Sequence, residues 1–134
     1  MCIRDSSQRE NQLFINNKNG TFTEQAAAYG INDSNYSIGA SFLDYDRDGD
    51  LDLIVANHPR YRTIALSKHI NYWKNPPMKF SSRLFKNENG KFKDVTVEAG
   101  VQSYGFCLGV TTSDYNMDGW PDIYLSVDLS LIHI

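Results

Sequence analysis

Two clusters of aspartates are the residues of this sequence best suited to chemistry. The first cluster has five aspartates at alternate positions of residues 44–52, and the second has three within residues 114–122. Together they hold eight of the sixteen acidic residues in a chain of 134. Carboxylates crowded in this way repel one another unless a cation lies among them. Two bound divalent cations would change the net charge from −3 to +1, so both clusters are candidate sites for a hard cation.

Residues 44–52 form acidic loop 1, in which carboxylates occupy positions 1, 3, 5 and 9. These side chains can converge if the chain curls, and a glycine at position 6 permits the sharp turn. The predicted ligands are Asp44, Asp46, Asp48, the main-chain carbonyl of Asp50, and Asp52. Calcium takes six to eight oxygen ligands of this kind, whereas magnesium requires a tighter octahedron. Soft metals are disfavoured because no cysteine or histidine is close by in the sequence.

Residues 114–122 form acidic loop 2, which has the same spacing and the same glycine. Its predicted ligand side chains are Asp114, Asn116, Asp118 and Asp122. Because Asn116 supplies a neutral oxygen where acidic loop 1 has a carboxylate, we expect weaker calcium binding at acidic loop 2. The sequence therefore predicts two calcium sites of unequal affinity.

Two alternatives to a repeat-type calcium loop can be considered. An EF-hand would need a glutamate at position 12, where this chain has Val55 and Leu125, and helices on both sides. A solvated acidic turn with no ion is the other alternative. We favour the calcium interpretation because two separate loops share both the ligand spacing and the glycine.

An internal repeat of about 70 residues organises the chain and places both loops. Leu-Phe-x-Asn at residues 13–16 recurs at 84–87, and Gly-x-Phe at 20–22 recurs at 90–92. Gly30 and Gly39 recur as Gly100 and Gly109, in step with the two acidic loops. A nearly constant offset across several landmarks indicates a repeat architecture.

Each repeat is predicted to consist of strands. Residues 37–43 alternate, with Ile38, Ala40 and Phe42 on one face, and the register continues at Leu108, Val110 and Thr112. Residues 51–56 predict a buried strand. The Asn-Gly pairs at 19–20 and 89–90 predict hairpin turns, because both residue types tolerate positive φ. The fold class is therefore all-β.

We interpret the chain as a β-propeller fragment with one complete four-stranded antiparallel blade and two half blades. A blade needs packed neighbours, so we expect the remaining blades in a longer parent chain. The alternative is a short open stack or a small sandwich. The expected divisions are two strands of a preceding blade and a linker at 11–35, the complete blade at 36–97 with a basic insertion at 58–82, and the first two strands of a following blade at 98–128. Residues 1–10 and 129–134 do not match the repeat, and we interpret them as non-native or disordered ends.

Composition and the remaining motifs limit the function. The chain is acidic overall, which disfavours nucleic-acid binding, and no run of apolar residues is long enough to span a membrane. The segment from residue 58 to 83 holds six of the thirteen basic residues and no acid. It could bind an anionic partner such as an acidic glycan, although we favour a solvated insertion, with a short helix near residues 64–72. His58 and His69 have no zinc-type spacing, and nothing supports a catalytic set, so we expect no enzyme activity.

The phrases RLFKNENGKFKDVTVEAGV and SFLDYDRDGDLDLIVAN resemble the FG-GAP/VCBS repeat, the calcium-binding blade of integrin-α-like propellers. They are especially similar to bacterial repeat proteins related to cartilage acidic protein, which often carry an ASPIC/UnbV domain. The resemblance covers residues 11–57 and 83–127, and Asn116, the Trp120-Pro121 pair and the long basic segment depart from it. It implies calcium ligands at the nine positions already named and at the main-chain carbonyl of Trp120. It also implies an extracellular, periplasmic or surface location, and adhesion to a protein or glycan ligand.

Overall fold

The computed structural model of the chain describes residues 10–58 and 78–128. This part contains eight strands, one short α-helix and one short 3₁₀ helix at Met78–Phe80. The elements are β1 (Phe14–Asn16), β2 (Phe22–Glu24), α1 (Ala26–Tyr29), β3 (Ser37–Leu43), β4 (Asp52–Asn57), β5 (Arg83–Asn87), β6 (Phe92–Asp94), β7 (Phe106–Ser113) and β8 (Asp122–Asp128). Four predictions concern residues outside the described part: the two chain ends beyond residues 10 and 128, most of the basic insertion (residues 59–77), the helix near 64–72, and His69.

The strands form three antiparallel sheets in chain order. The central sheet has four strands in the order β3-β4-β5-β6, and β1-β2 and β7-β8 are two-stranded sheets on either side of it in the chain. The central sheet is the predicted sequence of strand, acidic loop, strand, connection, strand, tight turn and strand. One complete four-stranded unit between two half units confirms the predicted fold class.

The strand β4 lies at the centre of the core, and every residue in it is buried. Leu53 and Val55 point to one side, where they pack with Ala26, Ile31 and Phe85. Ile54 points to the other side and packs with Leu43, Leu84 and Val95. Complete burial of one of these side chains contributes about 1.5–3 kcal/mol relative to its exposure. The blade is therefore stabilised from both faces.

The two core clusters also connect the central sheet to its neighbours. Leu13 and Tyr29, from the preceding half unit, pack against the Leu53 side. Val110 and Ile123, from the following half unit, pack against the Ile54 side. A sheet with apolar side chains on both faces needs such neighbours, since otherwise one face would be left in water. This arrangement supports the expectation that a blade is stable only between other blades.

The contact between β3 and β7 shows which face of β3 is covered. The hydroxyls of Ser41 and Thr112 are 2.9 Å apart across it. The alternation predicted for β3 is present, but its face of Ile38, Ala40 and Phe42 points away from β7, and Phe42 is 49% exposed. Leu108 is 63% exposed because the pairing of β7 with β8 shifts between Cys107 and Gly109. Strand periodicity fixed which residues share a face, while the neighbouring sheets decided which face is covered.

The two Asn-Gly turns differ in detail. In the β5–β6 turn Asn89 and Gly90 both have positive φ, 54° and 82°, as predicted. In the β1–β2 turn the positive φ angles belong to Lys18 and Gly20, 63° and 84°, and not to Asn19. The side chain of Asn19 instead accepts a hydrogen bond from the main-chain N–H of Thr21. The first turn is one residue longer between matching landmarks, which moves the left-handed position back to Lys18.

Two further differences are small. The second strand of the central sheet begins at Asp52, and Leu51, which we expected to be in a buried strand, is 58% exposed. The four-residue helix α1 was not expected, and it ends at Gly30, whose φ of 80° is left-handed. Neither described helix, in residues 10–58 or 78–128, is long and apolar enough to cross a bilayer.

Candidate metal centre

Acidic loop 1 connects β3 to β4 and brings three of its aspartates together. One carboxylate oxygen from each of Asp44, Asp46 and Asp48 lies within 4.8 Å of the others. The curl that produces this convergence has two left-handed residues, Arg47 with φ of 59° and Gly49 with φ of 95°. Glycine adopts such angles without steric cost, which agrees with the predicted role of Gly49.

Hydrogen bonds within the loop hold some carboxylate oxygens and leave others without a partner. The N–H of Gly49 donates to Asp44 Oδ2 at 3.1 Å, and the N–H of Asp50 donates to Asp48 Oδ1 at 3.0 Å. Asp44 Oδ1 and Asp46 Oδ1 are shielded from solvent and accept no hydrogen bond. A buried polar atom without a partner is costly. Hard anionic oxygens in this state are the ligands that calcium prefers, so the residues fit a calcium ion.

The lysine Lys86 of β5 is the nearest cation to acidic loop 1. Its ammonium Nζ contacts Asp46 Oδ2 and lies 3.1 Å from Asp48 Oδ2. The hydrogen bonds to Asp46 and then to Asp48 raise the pKa of Lys86 above its ordinary value. The pKa of Asp48 is lowered, first by the N–H of Asp50 and then by Lys86. Asp48 is thus held in its ionised form.

Asp52, predicted as the last ligand of acidic loop 1, is fully buried. Its Oδ2 accepts the N–H of Tyr45 at 3.0 Å, and its Oδ1 accepts the N–H of Asn87 at 2.7 Å. Burial raises its pKa, and these two hydrogen bonds oppose that shift. Asp52 therefore connects the start of the loop to β5, and its role as a calcium ligand stays a prediction.

Acidic loop 2 has the same backbone shape as acidic loop 1. Met117 and Gly119 have φ angles of 59° and 87°, at the positions of Arg47 and Gly49. The N–H of Gly119 donates to Asp114 Oδ2 at 2.8 Å, and the N–H of Trp120 donates to Asp118 Oδ1 at 2.8 Å. The repeat in sequence is therefore a repeat in local geometry.

The carboxylates of acidic loop 2 accept their hydrogen bonds from groups within the loop. The amide of Asn116 donates to Asp118 Oδ2 at 2.8 Å, the position that Lys86 takes at Asp48. Asp114 accepts a second hydrogen bond, from the N–H of Asp118 to its Oδ1 at 3.1 Å. The pKa of Asp118 is lowered by the N–H of Trp120 and then by Asn116. Asp122 accepts the N–H of Tyr115 at 2.9 Å, as Asp52 accepts that of Tyr45.

The two acidic loops also contact each other. The guanidinium of Arg47 lies 5.0 Å from the ring centre of Trp120, within the range of a cation–π interaction.

The side chains at position 7 of the two loops, Asp50 and Trp120, are both exposed. Exposed side chains there leave the main-chain carbonyls as the predicted ligands, and that prediction stays open.

His58, a histidine that was considered as a metal or catalytic residue, lies among aromatic side chains. Its ring packs edge-on against Phe106, with ring centres 4.9 Å apart, and against Tyr36 at 5.8 Å. These contacts place His58 in the packing between the central sheet and β7. They give it a structural role.

Sequence reasoning missed Lys86 and Asn87, which lie far along the chain from acidic loop 1. They reach it because β5 pairs with β4, with Leu53 opposite Phe85. The pairing of the two strands was predicted, but without its register it does not place residues 86–87 beside the loop. The repeat gave no signal for the lysine either, because the other copy of the motif has Ile15 at the position of Lys86.

Comparison with known proteins shows what part of the chain is similar to. The FG-GAP-like repeat family matches residues 1–55, which include acidic loop 1. This match, together with the all-β fold, confirms the resemblance to FG-GAP repeat proteins and the β-propeller class. Cartilage acidic protein 1 of the mouse (Mus musculus) is similar to the chain, with 34% identity over 68 residues. The matched segment is 48% of this chain and 10% of that relative.

Proposed function

We propose that the chain is a calcium-binding segment of a β-propeller that acts as an interaction or adhesion scaffold. The observation that carries this proposal is the pair of buried carboxylate oxygens, Asp44 Oδ1 and Asp46 Oδ1, that accept no hydrogen bond. The shared geometry of the two acidic loops supports two calcium sites, one for each copy of the motif.

Calcium has a structural role in this proposal. Acidic loop 1 connects β3 and β4, and three converging carboxylates at this corner repel one another when no cation neutralises them. Calcium sites of extracellular modules bind at roughly 10⁻⁴ to 10⁻³ M. A site with a dissociation constant about tenfold below the ambient calcium concentration would stabilise the fold by about 1.4 kcal/mol.

The scaffold role rests on the fold class and on the absence of a catalytic motif in the sequence. FG-GAP repeats are typically non-catalytic structural modules, and we propose that this chain is not an enzyme. Large apolar side chains are exposed on both half units, including Phe14 and Phe22 on one and Leu108 and Tyr124 on the other. Further blades of a longer protein would cover such surfaces. The second candidate is a non-catalytic module of a secreted carbohydrate-active or other enzyme.

The partner and location belong to the same proposal. Calcium sites of this type need the calcium concentrations found outside the cell. The proposed location is therefore outside the cell or in the periplasm, with a protein or a glycan as the ligand. The basic segment at 58–82 offers positive charge for an acidic glycan, although a solvated insertion remains the simpler interpretation. The neighbouring coding sequence distinguishes the two candidate functions: further repeats favour the scaffold, and a catalytic domain favours the enzyme module.

Isothermal titration of the full chain with calcium tests the proposal. We expect two binding events, with acidic loop 1 tighter because it has one more carboxylate. Asp44→Ala should abolish the tighter event and Asp114→Ala the weaker one, while Glu88→Gln, an exposed acid outside both loops, should change neither. No calcium uptake by folded chain would overturn the calcium proposal, and equal affinities or a tighter acidic loop 2 would overturn the ordering.

A further inference from the structure

The environment of Lys86 raises a question that the calcium proposal leaves open. Its ammonium contacts Asp46 and Asp48, two of the three carboxylates that converge in acidic loop 1. A divalent ion at the unpartnered oxygens Asp44 Oδ1 and Asp46 Oδ1 would share the Asp46 carboxylate with the ammonium group, which contacts its Oδ2. The ion and the ammonium group would also repel each other at this distance.

The backbone around Lys86 holds it beside the loop. Leu84 and Phe85 are buried on opposite faces of β5, one in each core cluster. On the other side, the N–H of Asn87 donates to Asp52 at 2.7 Å. The main chain of Lys86 is therefore anchored on both sides, and the lysine is kept within reach of Asp46. Its side chain, with four rotatable methylene groups, remains free to move away.

The lysine is a property of this unit and is not required by the repeat. Ile15 stands at the matching position of the other copy of the motif. The other described lysines of β6 and its turn have different partners: Lys93 lies 3.8 Å from Glu98, and Lys91 donates to the carbonyl of Ala28. Acidic loop 2 takes the corresponding contact from its own Asn116.

We propose that Lys86 is a built-in competitor of calcium at acidic loop 1. Without calcium its ammonium offsets one of the two negative charges of Asp46 and Asp48 and keeps the loop folded, and calcium binds by displacing it. The inference rests on the proposed calcium site. Its consequence is a loop that binds calcium less tightly than its carboxylates alone would allow, and that does not unfold when calcium is removed.

The first test is the calcium affinity of Lys86→Met, measured by titration in the full chain. Both the variant and its reference carry Asp118→Ala, so that only acidic loop 1 is observed. We expect affinity to rise by roughly two- to threefold, the size of one surface ion pair, which is smaller than the effect of the extra carboxylate. Lys86→Arg keeps the charge and should keep the weaker affinity, and Lys93→Met is the matched control that should have no effect.

The second test needs no substitution. The lysines of the unmodified full chain are acylated with a limiting amount of an amine-reactive acylating reagent, in calcium or in chelator. The acylation of each lysine is then quantified by mass spectrometry. Displacement predicts that calcium increases the reactivity of Lys86 and leaves Lys91 and Lys93 unchanged. If the Met variant is poorly folded, Lys86→Gln replaces it in the titration, and the acylation result stands by itself.

The outcomes separate this inference from the calcium proposal. Calcium binding at acidic loop 1 with an affinity that Lys86→Met does not change, or with no change in Lys86 acylation, would overturn the competition alone. An absence of calcium uptake by either loop would overturn the proposed function and this inference with it. Tighter binding in Lys86→Met, together with exposure of Lys86 in calcium, would support both.

Discussion

Acidic loops 1 and 2 have the same backbone geometry but stabilise their carboxylates in different ways. Acidic loop 1 has carboxylates at all of positions 1, 3 and 5, and its counter-charge comes from Lys86 on a strand that follows much later in the chain. Acidic loop 2 replaces the middle carboxylate with Asn116, which donates its own hydrogen bond to Asp118. The loop sequence therefore determines the curl, while the neighbouring strand contributes to the electrostatics of the site.

The last aspartates of the two loops differ in the same way. Asp52 is fully buried and accepts hydrogen bonds from both Tyr45 and Asn87. Asp122 is half-buried and accepts the matching bond from Tyr115. The central sheet has a third strand beside its loop, and the sheet β7-β8 has only two strands in the described residues. In the complete blade the last aspartate of the loop, Asp52, is therefore buried, whereas its counterpart in the half blade is only half-buried.

The largest difference should come from Asp52→Ala compared with Asp122→Ala. Loss of Asp52 leaves two N–H groups without an acceptor in a buried place, and we expect about 3 kcal/mol lower unfolding free energy. Asp122→Ala removes one observed acceptor in a more exposed place, and we expect about half that loss. Denaturant unfolding in chelator measures both without any contribution from calcium. Equal losses would contradict the distinction between a complete and a half blade.

The next effect separates the ionic from the purely structural role of Asp48. We expect Asp48→Ala to lower the stability of the full chain in calcium by about 1.4 kcal/mol more than in chelator, since the bound ion no longer contributes. Thermal unfolding with and without calcium measures the difference, with Glu88→Gln as the control. An equal loss under both conditions would mean that the hydrogen bond from Asp50, and not calcium, accounts for the importance of Asp48.

A charge exchange between the loops should have an intermediate effect. Asn116→Asp gives acidic loop 2 the carboxylate pattern of acidic loop 1 without a lysine beside it in the described residues. We expect its calcium affinity to increase roughly three- to tenfold, because ligand charge sets the affinity of such sites. In chelator we expect about 1 kcal/mol lower stability, because the bond from Asn116 to Asp118 is replaced by repulsion.

Asp46→Asn is the matched exchange in the other direction. It removes a predicted ligand from acidic loop 1 and one of the two contacts of Lys86, and calcium titration should show weaker binding there. Affinities that do not respond to either substitution would contradict the view that charge distinguishes the loops.

The smallest effect concerns the contact between the loops. Arg47→Ala removes the guanidinium that lies 5.0 Å from the ring centre of Trp120. We expect about 0.5–1 kcal/mol lower stability, the size of an exposed cation–π interaction, and a change in the fluorescence of Trp120. Arg47→Lys, which retains the cation, should lose less. An unchanged stability in Arg47→Ala would show that the two loops are energetically independent.

Much of the fold follows from short-range patterns. The alternation at residues 37–43 and the Asn-Gly pair at 89–90 predicted β3 and the β5–β6 turn, because side-chain direction and turn conformation depend on adjacent residues. The same reasoning failed at Asn19, where one added residue moves the left-handed position to Lys18. It also could not tell that the face of Ile38 and Phe42 is exposed, since coverage depends on which sheet packs there.

The sequence by itself determined the repeat, the strands and the convergence of Asp44, Asp46 and Asp48, all of which depend on residues within one loop or hairpin. Only the tertiary structure decided that Asp52 is buried between Tyr45 and Asn87, and that Lys86 contacts Asp46 in the loop. The physical reason is the register of β5 on β4. It brings groups more than thirty positions apart within hydrogen-bonding distance, where charge and burial set what each aspartate can do.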